Sequence, residues 1–125
     1  MDGKKNGNLV YATRNALAGF PVLLRENAAR REALLALFAL ACAIHAPGPY
    51  SFAFLALSIV LLVVEALNTA IEIMCDHVTA EYHPDIKAIK DVAAAGVFLT
   101  VMVTAGAGIV FLVDYFGMMP PPGGG

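Results

Sequence analysis

Charge is what this sequence has least of. Only 14% of its 125 residues are charged, eight basic and ten acidic, against about 25% in ordinary soluble domains. With 59% apolar residues and a mean hydropathy of +0.73, that shortage excludes a soluble domain and predicts an integral membrane protein. The net charge of -2 gives no footing for a nucleic-acid partner, whose phosphates are held by clustered basic residues. Cysteine is scarce as well. Cys42 and Cys75 fall in different predicted helices, so no disulfide is expected, and His77 and His83 lack a metal-type spacing with either. His45 reads as a helix-end histidine. There is no GxxxxGK[ST] loop and no soluble-kinase motif set, which removes those nucleotide-binding lineages. The polar N-terminus does not lead directly into an apolar stretch, so no cleavable signal peptide is expected.

What is present is apolar and interrupted in an orderly way. One small membrane domain is expected over residues 1–117. Its spans are read at about 27–46, 51–74 and 92–114, preceded by an amphipathic surface helix at about 10–25. The first span needs its charged start, because Ala33–Ala46 alone is too short to cross; Arg30 and Arg31 then snorkel to the headgroups. Pro47-Gly48-Pro49 makes the first hairpin, and His83-Pro84-Asp85 breaks the second link. Pro21 is expected to kink or end the surface helix, and 118–125 reads as a disordered Pro/Gly tail. The fold class is therefore an all-α membrane protein with three transmembrane helices and an N-terminal surface helix. Basic residues cluster before the first span and between the second and third, at Lys87 and Lys90, and are missing from the other connections. The positive-inside rule then puts the N-terminus and the 77–91 loop in the cytoplasm.

The second span carries an anomaly. At 100° per residue, Glu65, Asn68, Glu72 and Asp76 share a sector of about 80°, with Thr69 at its edge. An ionisable group in mid-membrane costs about 2.5–3.5 kcal/mol on insertion scales, so this stripe needs a partner, a cavity or a site. Interhelical hydrogen bonding, an ion or proton path and an enzyme site all fit the stripe alone. Its company discriminates. Arg25-Glu26-Asn27 and Arg30-Arg31-Glu32 precede the first span, and Lys87 with Lys90-Asp91 precedes the third, all at the same membrane face. Carboxylates for Mg²⁺, cations for polyphosphate and one deeper carboxylate as base fit phosphoryl transfer to a lipid hydroxyl. A small proton- or ion-conducting oligomer would explain the buried acids but not these outer clusters. In the third span Gly96, Thr100, Thr104 and Gly108 form a ridge of small residues suited to close helix packing, within or between protomers.

Val64-Glu65-Ala66-Leu67-Asn68-Thr69-Ala70-Ile71-Glu72, then Asp76, Glu81-Tyr82-His83 and Lys90-Asp91-Val92-Ala93-Ala94-Ala95, together with Glu26 through Glu32, resemble the prokaryotic diacylglycerol kinase family, which includes undecaprenol kinases. The likeness runs from about Leu17 to Gly117. It implies a homotrimer in the bacterial inner membrane that uses MgATP at the cytoplasmic interface to phosphorylate diacylglycerol. Undecaprenol is the alternative acceptor, and Glu81-Tyr82-His83 leans toward the diacylglycerol branch. Carried over residue by residue, the resemblance makes Glu65 the general base with Asn68 orienting groups beside it. Glu26 and Glu72 would hold Mg²⁺. Lys90 would meet the ATP phosphates, Asp76 and Asp91 would support the nucleotide end, and Glu32 would be a further polar contact on that side of the site. The N-terminal segment departs from the pattern: Gly19 to Glu26 is one residue short, Pro21 interrupts it, and Ala16 and Leu17 stand at the usual aromatic and basic positions. Arg14 is accordingly left out of the site.

Overall fold

The computed structural model describes residues 8–118 and Gly123, in four helices: α1 (Leu9–Leu23), α2 (Asn27–His45), α3 (Pro49–Val78) and α4 (Pro84–Tyr115). The expected 118–125 tail lies outside the described residues except at Met118 and Gly123. Met118 belongs to a helix cap. Its amide bonds the Val113 carbonyl at 3.0 Å and the Gly117 amide bonds Asp114 at 3.0 Å, with Gly117 at φ 68°. That is a Schellman closure of α4, which a residue with a Cβ would strain.

Helix α3 is the middle of the bundle, packed on α2 along one side and on α4 along another. Two helices, α3 and α4, are long and apolar enough to cross a bilayer. Helix α2 has 19 residues, rising about 28 Å, and carries Arg30, Arg31 and Glu32 in its first two turns. It does not reach that standard on composition, so the expected third crossing rests on other grounds.

The expected helix ends need four corrections. Pro84 does not break a loop; it is the first residue of α4, where its missing N–H leaves no hydrogen bond unmade. The His83 ring Nδ1 accepts from the Asp85 amide at 3.2 Å as the cap. Lys87, Lys90 and Asp91 are therefore helical rather than part of a 77–91 loop. At its other end α3 runs past Met74 to Val78, because Asp76 and His77 continue its turns. Pro21 does not end α1, which continues to Leu23 and closes through Leu24 N to the Phe20 carbonyl at 2.9 Å.

The apolar core lies near the Pro47–Pro49 turn: Ala39, Phe54 and Phe111, flanked by Leu35, Cys42 and Ala107. The ridge on α4 divides here. Thr104 bonds the Leu57 carbonyl of α3 at 3.3 Å, and Gly108 faces the Phe54 ring, which would lie 3.1 Å from an added Cβ. Gly96 has open space around it. Within the chain, Thr104 and Gly108 are the part of the ridge that meets α3. The cysteines are free, as expected, with Cys75 buried and Cys42 partly so. His45 meets the Tyr115 hydroxyl at 3.3 Å, which ties α2 to α4 at their ends.

Candidate active site

The inner part of the polar stripe on α3 is buried, Glu72 is half-buried and Asp76 is exposed. Glu65 and Asn68 are 5% and 8% exposed, and on the facing α2 Glu32 is 9% exposed, so these groups lie inside the helix pair rather than on its outer surface. Helical spacing from Glu65 to Asn68 to Glu72 keeps them on one face, and the Asn68 amide nitrogen donates to the Glu72 carboxylate at 3.4 Å. Asn68 is thus tied to the outer carboxylate of the stripe.

The two helices bring further charge to the same place. Glu65 lies within electrostatic reach of Glu72 on its own helix and of Glu26 and Arg31 from the start of α2. Glu32 lies within reach of Glu65 and Arg31. Glu26 is the exposed N-cap of α2 and makes no side-chain capping bond, so its carboxylate is uncommitted to its own helix. Arg30 is committed instead to Asn27, through a side-chain hydrogen bond. Four carboxylates and one guanidinium therefore converge where α2 begins and α3 approaches its end.

At the α3–α4 junction Lys90 donates to the Asp76 carboxylate at 2.6 Å, a cross-helix ion pair that leaves Asp76 at the outer end of the stripe. Lys90 precedes the apolar part of α4, and its hydrogen bond to Asp76 holds the ammonium above the ordinary lysine value. Asp91 is placed differently. It is exposed and accepts from Lys87 at 2.5 Å, one turn back on α4, and no hydrogen bond among the described residues joins it to the stripe. Of the sequence-predicted residues, Glu65, Asn68, Glu72, Glu32, Glu26, Asp76 and Lys90 are thus brought to one wall or its rim, and Asp91 stands apart.

Among the described residues, three buried side-chain oxygen atoms have no hydrogen-bond partner: Glu32 Oε2, Asn68 Oδ1 and Thr69 Oγ1. All three lie at this wall. A buried polar group left unmatched costs about 1–3 kcal/mol, so in native proteins such groups call for a bound water, an ion, a ligand or a catalytic role. Thr69 was legible in the sequence only as the edge of the stripe, and Arg31 only as a snorkelling cation in the charged cluster before the first span; the electrostatic reach of Arg31 to both Glu32 and Glu65 depends on how α2 docks. No group of three or more His, Cys, Asp and Glu is placed to hold a metal ion among the described residues.

The profile described as prokaryotic diacylglycerol kinase matches residues 14–112. A diacylglycerol kinase of Pseudomonas aeruginosa is 35% identical over 98 residues, covering 76% of this chain and 80% of that protein. The diacylglycerol kinases of Escherichia coli K12 and Shigella flexneri are each 28% identical over 96 residues, covering 75% of this chain and 79% of theirs. The matched region takes in α2, α3 and most of α4, and with them every residue of the wall, so the chain belongs to the prokaryotic diacylglycerol kinase family.

Proposed function

We propose that this protein transfers the γ-phosphoryl group of ATP to the free hydroxyl of diacylglycerol at the cytoplasmic face of the bacterial inner membrane, giving phosphatidic acid. The observation that carries the proposal is the polar wall itself: a buried carboxylate at Glu65, a buried carboxamide at Asn68 and a half-buried second carboxylate at Glu72 on one face of α3, with a cation at Lys90 held at its outer rim.

Each residue has a chemical task in that reaction. The Glu65 carboxylate accepts the proton of the lipid hydroxyl as that oxygen bonds to the γ-phosphorus, while the bond to the departing ADP oxygen breaks. Asn68, tied to Glu72 through its nitrogen, stands one helical turn from Glu65 and orients groups beside the base. Glu72 and Glu26 fit Mg²⁺, since one or two carboxylates with phosphate oxygens make its usual shell. When bound, Mg²⁺ neutralises charge on the phosphates. Lys90 then meets the phosphates as its partner Asp76 shares the ammonium. Glu65 lies about 10 Å deeper along the helix than Glu72, which suits a base working on a lipid below a nucleotide.

The same reading makes α2 the third crossing. Its rise of about 28 Å nearly matches a hydrocarbon core of about 30 Å, and its charged start lies level with the outer end of the stripe. The family resemblance also makes the protein a homotrimer, and α4, which buries only Thr104, Gly108 and Phe111 within the chain, has surface left for such packing. Undecaprenol is the alternative acceptor for the same chemistry. The test is purified protein in mixed micelles with MgATP, offered diacylglycerol and undecaprenol in parallel. Faster phosphorylation of diacylglycerol is expected. Transfer to neither lipid would sink the kinase reading, and preference for undecaprenol would change the substrate.

A further inference from the structure

Helix α3 packs against both α2 and α4, which leaves a cleft between those two with α3 as its floor. Leu35 and Phe38 of α2 and Val101 and Thr104 of α4 are its walls, over Phe54 and Leu61 of α3. At the Pro47–Pro49 end the cleft is closed, because His45 meets the Tyr115 hydroxyl at 3.3 Å. At the other end, where the polar stripe emerges, no hydrogen bond or ion pair among the described residues joins α2 to α4. The cleft is open there.

Arg31 stands on the α2 rim of that open end. It precedes Leu35 by one helical turn and so shares the flank of α2 that looks across the floor toward α4. Arg31 is exposed and makes none of the ion pairs among the described residues, which use His83, Lys87 and Lys90. Its neighbour Arg30 is occupied by Asn27. Arg31 is also the cation whose charge acts on both buried carboxylates, Glu32 and Glu65. Lys90 works from the α4 rim, bonded to Asp76 with Glu72 nearby. The open end thus carries two cations at two depths, Lys90 beside the outer carboxylates and Arg31 beside the inner ones.

We infer that Arg31 holds the γ-phosphoryl group of the nucleotide, its guanidinium donating to two non-bridging oxygens of that group, while Lys90 meets the phosphates nearer the nucleoside. The inference rests on the lipid kinase reading above and deepens it. A phosphate entering beside Glu32 and Glu65 is repelled by both carboxylates. Arg31 is the cation at that depth which offsets the repulsion. During transfer the charge spreads over the three equatorial oxygens, and the planar fork of an arginine engages two of them at once. Arg31 neither gives nor takes a proton: the lipid oxygen bonds to phosphorus, the bond to ADP breaks, and the proton still passes to Glu65.

The test compares two inhibitors that compete with ATP in the lipid kinase assay: ADP, which lacks the γ-phosphate, and β,γ-methylene-ATP, which keeps it. Arg31→Gln should raise the inhibition constant of the methylene analogue about ten- to a hundredfold, the range of a hydrogen bond to a charged group, and leave that of ADP unchanged. Lys90→Gln should weaken both inhibitors, since ADP keeps the phosphates that Lys90 meets. Both constants come from one preparation, so a partial loss of folded protein leaves their ratio alone. Arg31→Met, which keeps the apolar stem, reads the same ratio where Arg31→Gln does not fold, and Arg31→Lys should recover part of the loss. Equal weakening of the two inhibitors in the Arg31 variants, or weakening of neither, overturns the inference and returns Arg31 to a headgroup anchor, with the kinase reading intact. If the wild-type protein transfers phosphate to no lipid, the kinase reading itself has failed.

Discussion

Glu32 shows how a buried group can separate function from stability. It is buried on α2 with Oε2 unpartnered, close enough to Glu65 for their charges to interact. A carboxylate kept for folding would be matched; one kept for chemistry need not be. Removing a buried charge destabilises when it strands a buried partner, and Glu32 has no hydrogen-bond partner among the described residues to strand. Glu32→Leu should therefore leave the thermal midpoint in detergent unchanged or raise it, while phosphatidic acid formation falls at least tenfold. A drop in the midpoint with activity retained would assign Glu32 to structure. The sequence announced Glu65, Asn68 and Glu72 because acids in an apolar run have few explanations. It did not announce the orphaned Thr69 oxygen, since whether a hydroxyl finds a partner depends on a rotamer that no spacing reveals.

Helix α4 is decided at two positions that the sequence shows ambiguously. Pro84 can end a helix or begin one, and the His83 cap with Asp85 in the first turn resolves it as a beginning. That extra length places Lys90 on a rigid element opposite Asp76 and turns Asp91 toward Lys87 instead. Further along, Gly108 lets α4 approach Phe54. Gly108→Val should cost about 1–3 kcal/mol through overpacking, read as a lower thermal midpoint. Gly106→Val is the control, because a Cβ there meets nothing within 4 Å. Equal effects at the two positions would remove the Phe54 contact as the reason for a glycine. The sequence showed the small-residue ridge, but not that Thr104 and Gly108 are the part of it that meets α3.

For the whole molecule, the 30 residues of α3 rise about 45 Å, more than the hydrocarbon core of about 30 Å, so both of its ends clear the lipid. The Pro47–Pro49 turn and the Thr79–His83 link should then face opposite sides. With Cys42 and Cys75 replaced by alanine, a single cysteine at Gly48 should react with a membrane-impermeant maleimide on intact spheroplasts, and one at Ala80 only after permeabilisation. Labelling of both from the same side contradicts the topology. Helix number and stripe were legible from periodicity, whereas the docking of α2 that brings Glu26, Arg31 and Glu32 toward Glu65 is a tertiary fact. These elements converge on Glu65, and the most direct measurement is the turnover of Glu65→Gln against wild type at saturating MgATP and diacylglycerol. A general base contributes about 10²–10⁴-fold; a loss of kcat in that range, with thermal midpoint and oligomeric state unchanged, is the predicted result. A well-folded Glu65→Gln protein that keeps kcat within tenfold of wild type would contradict it.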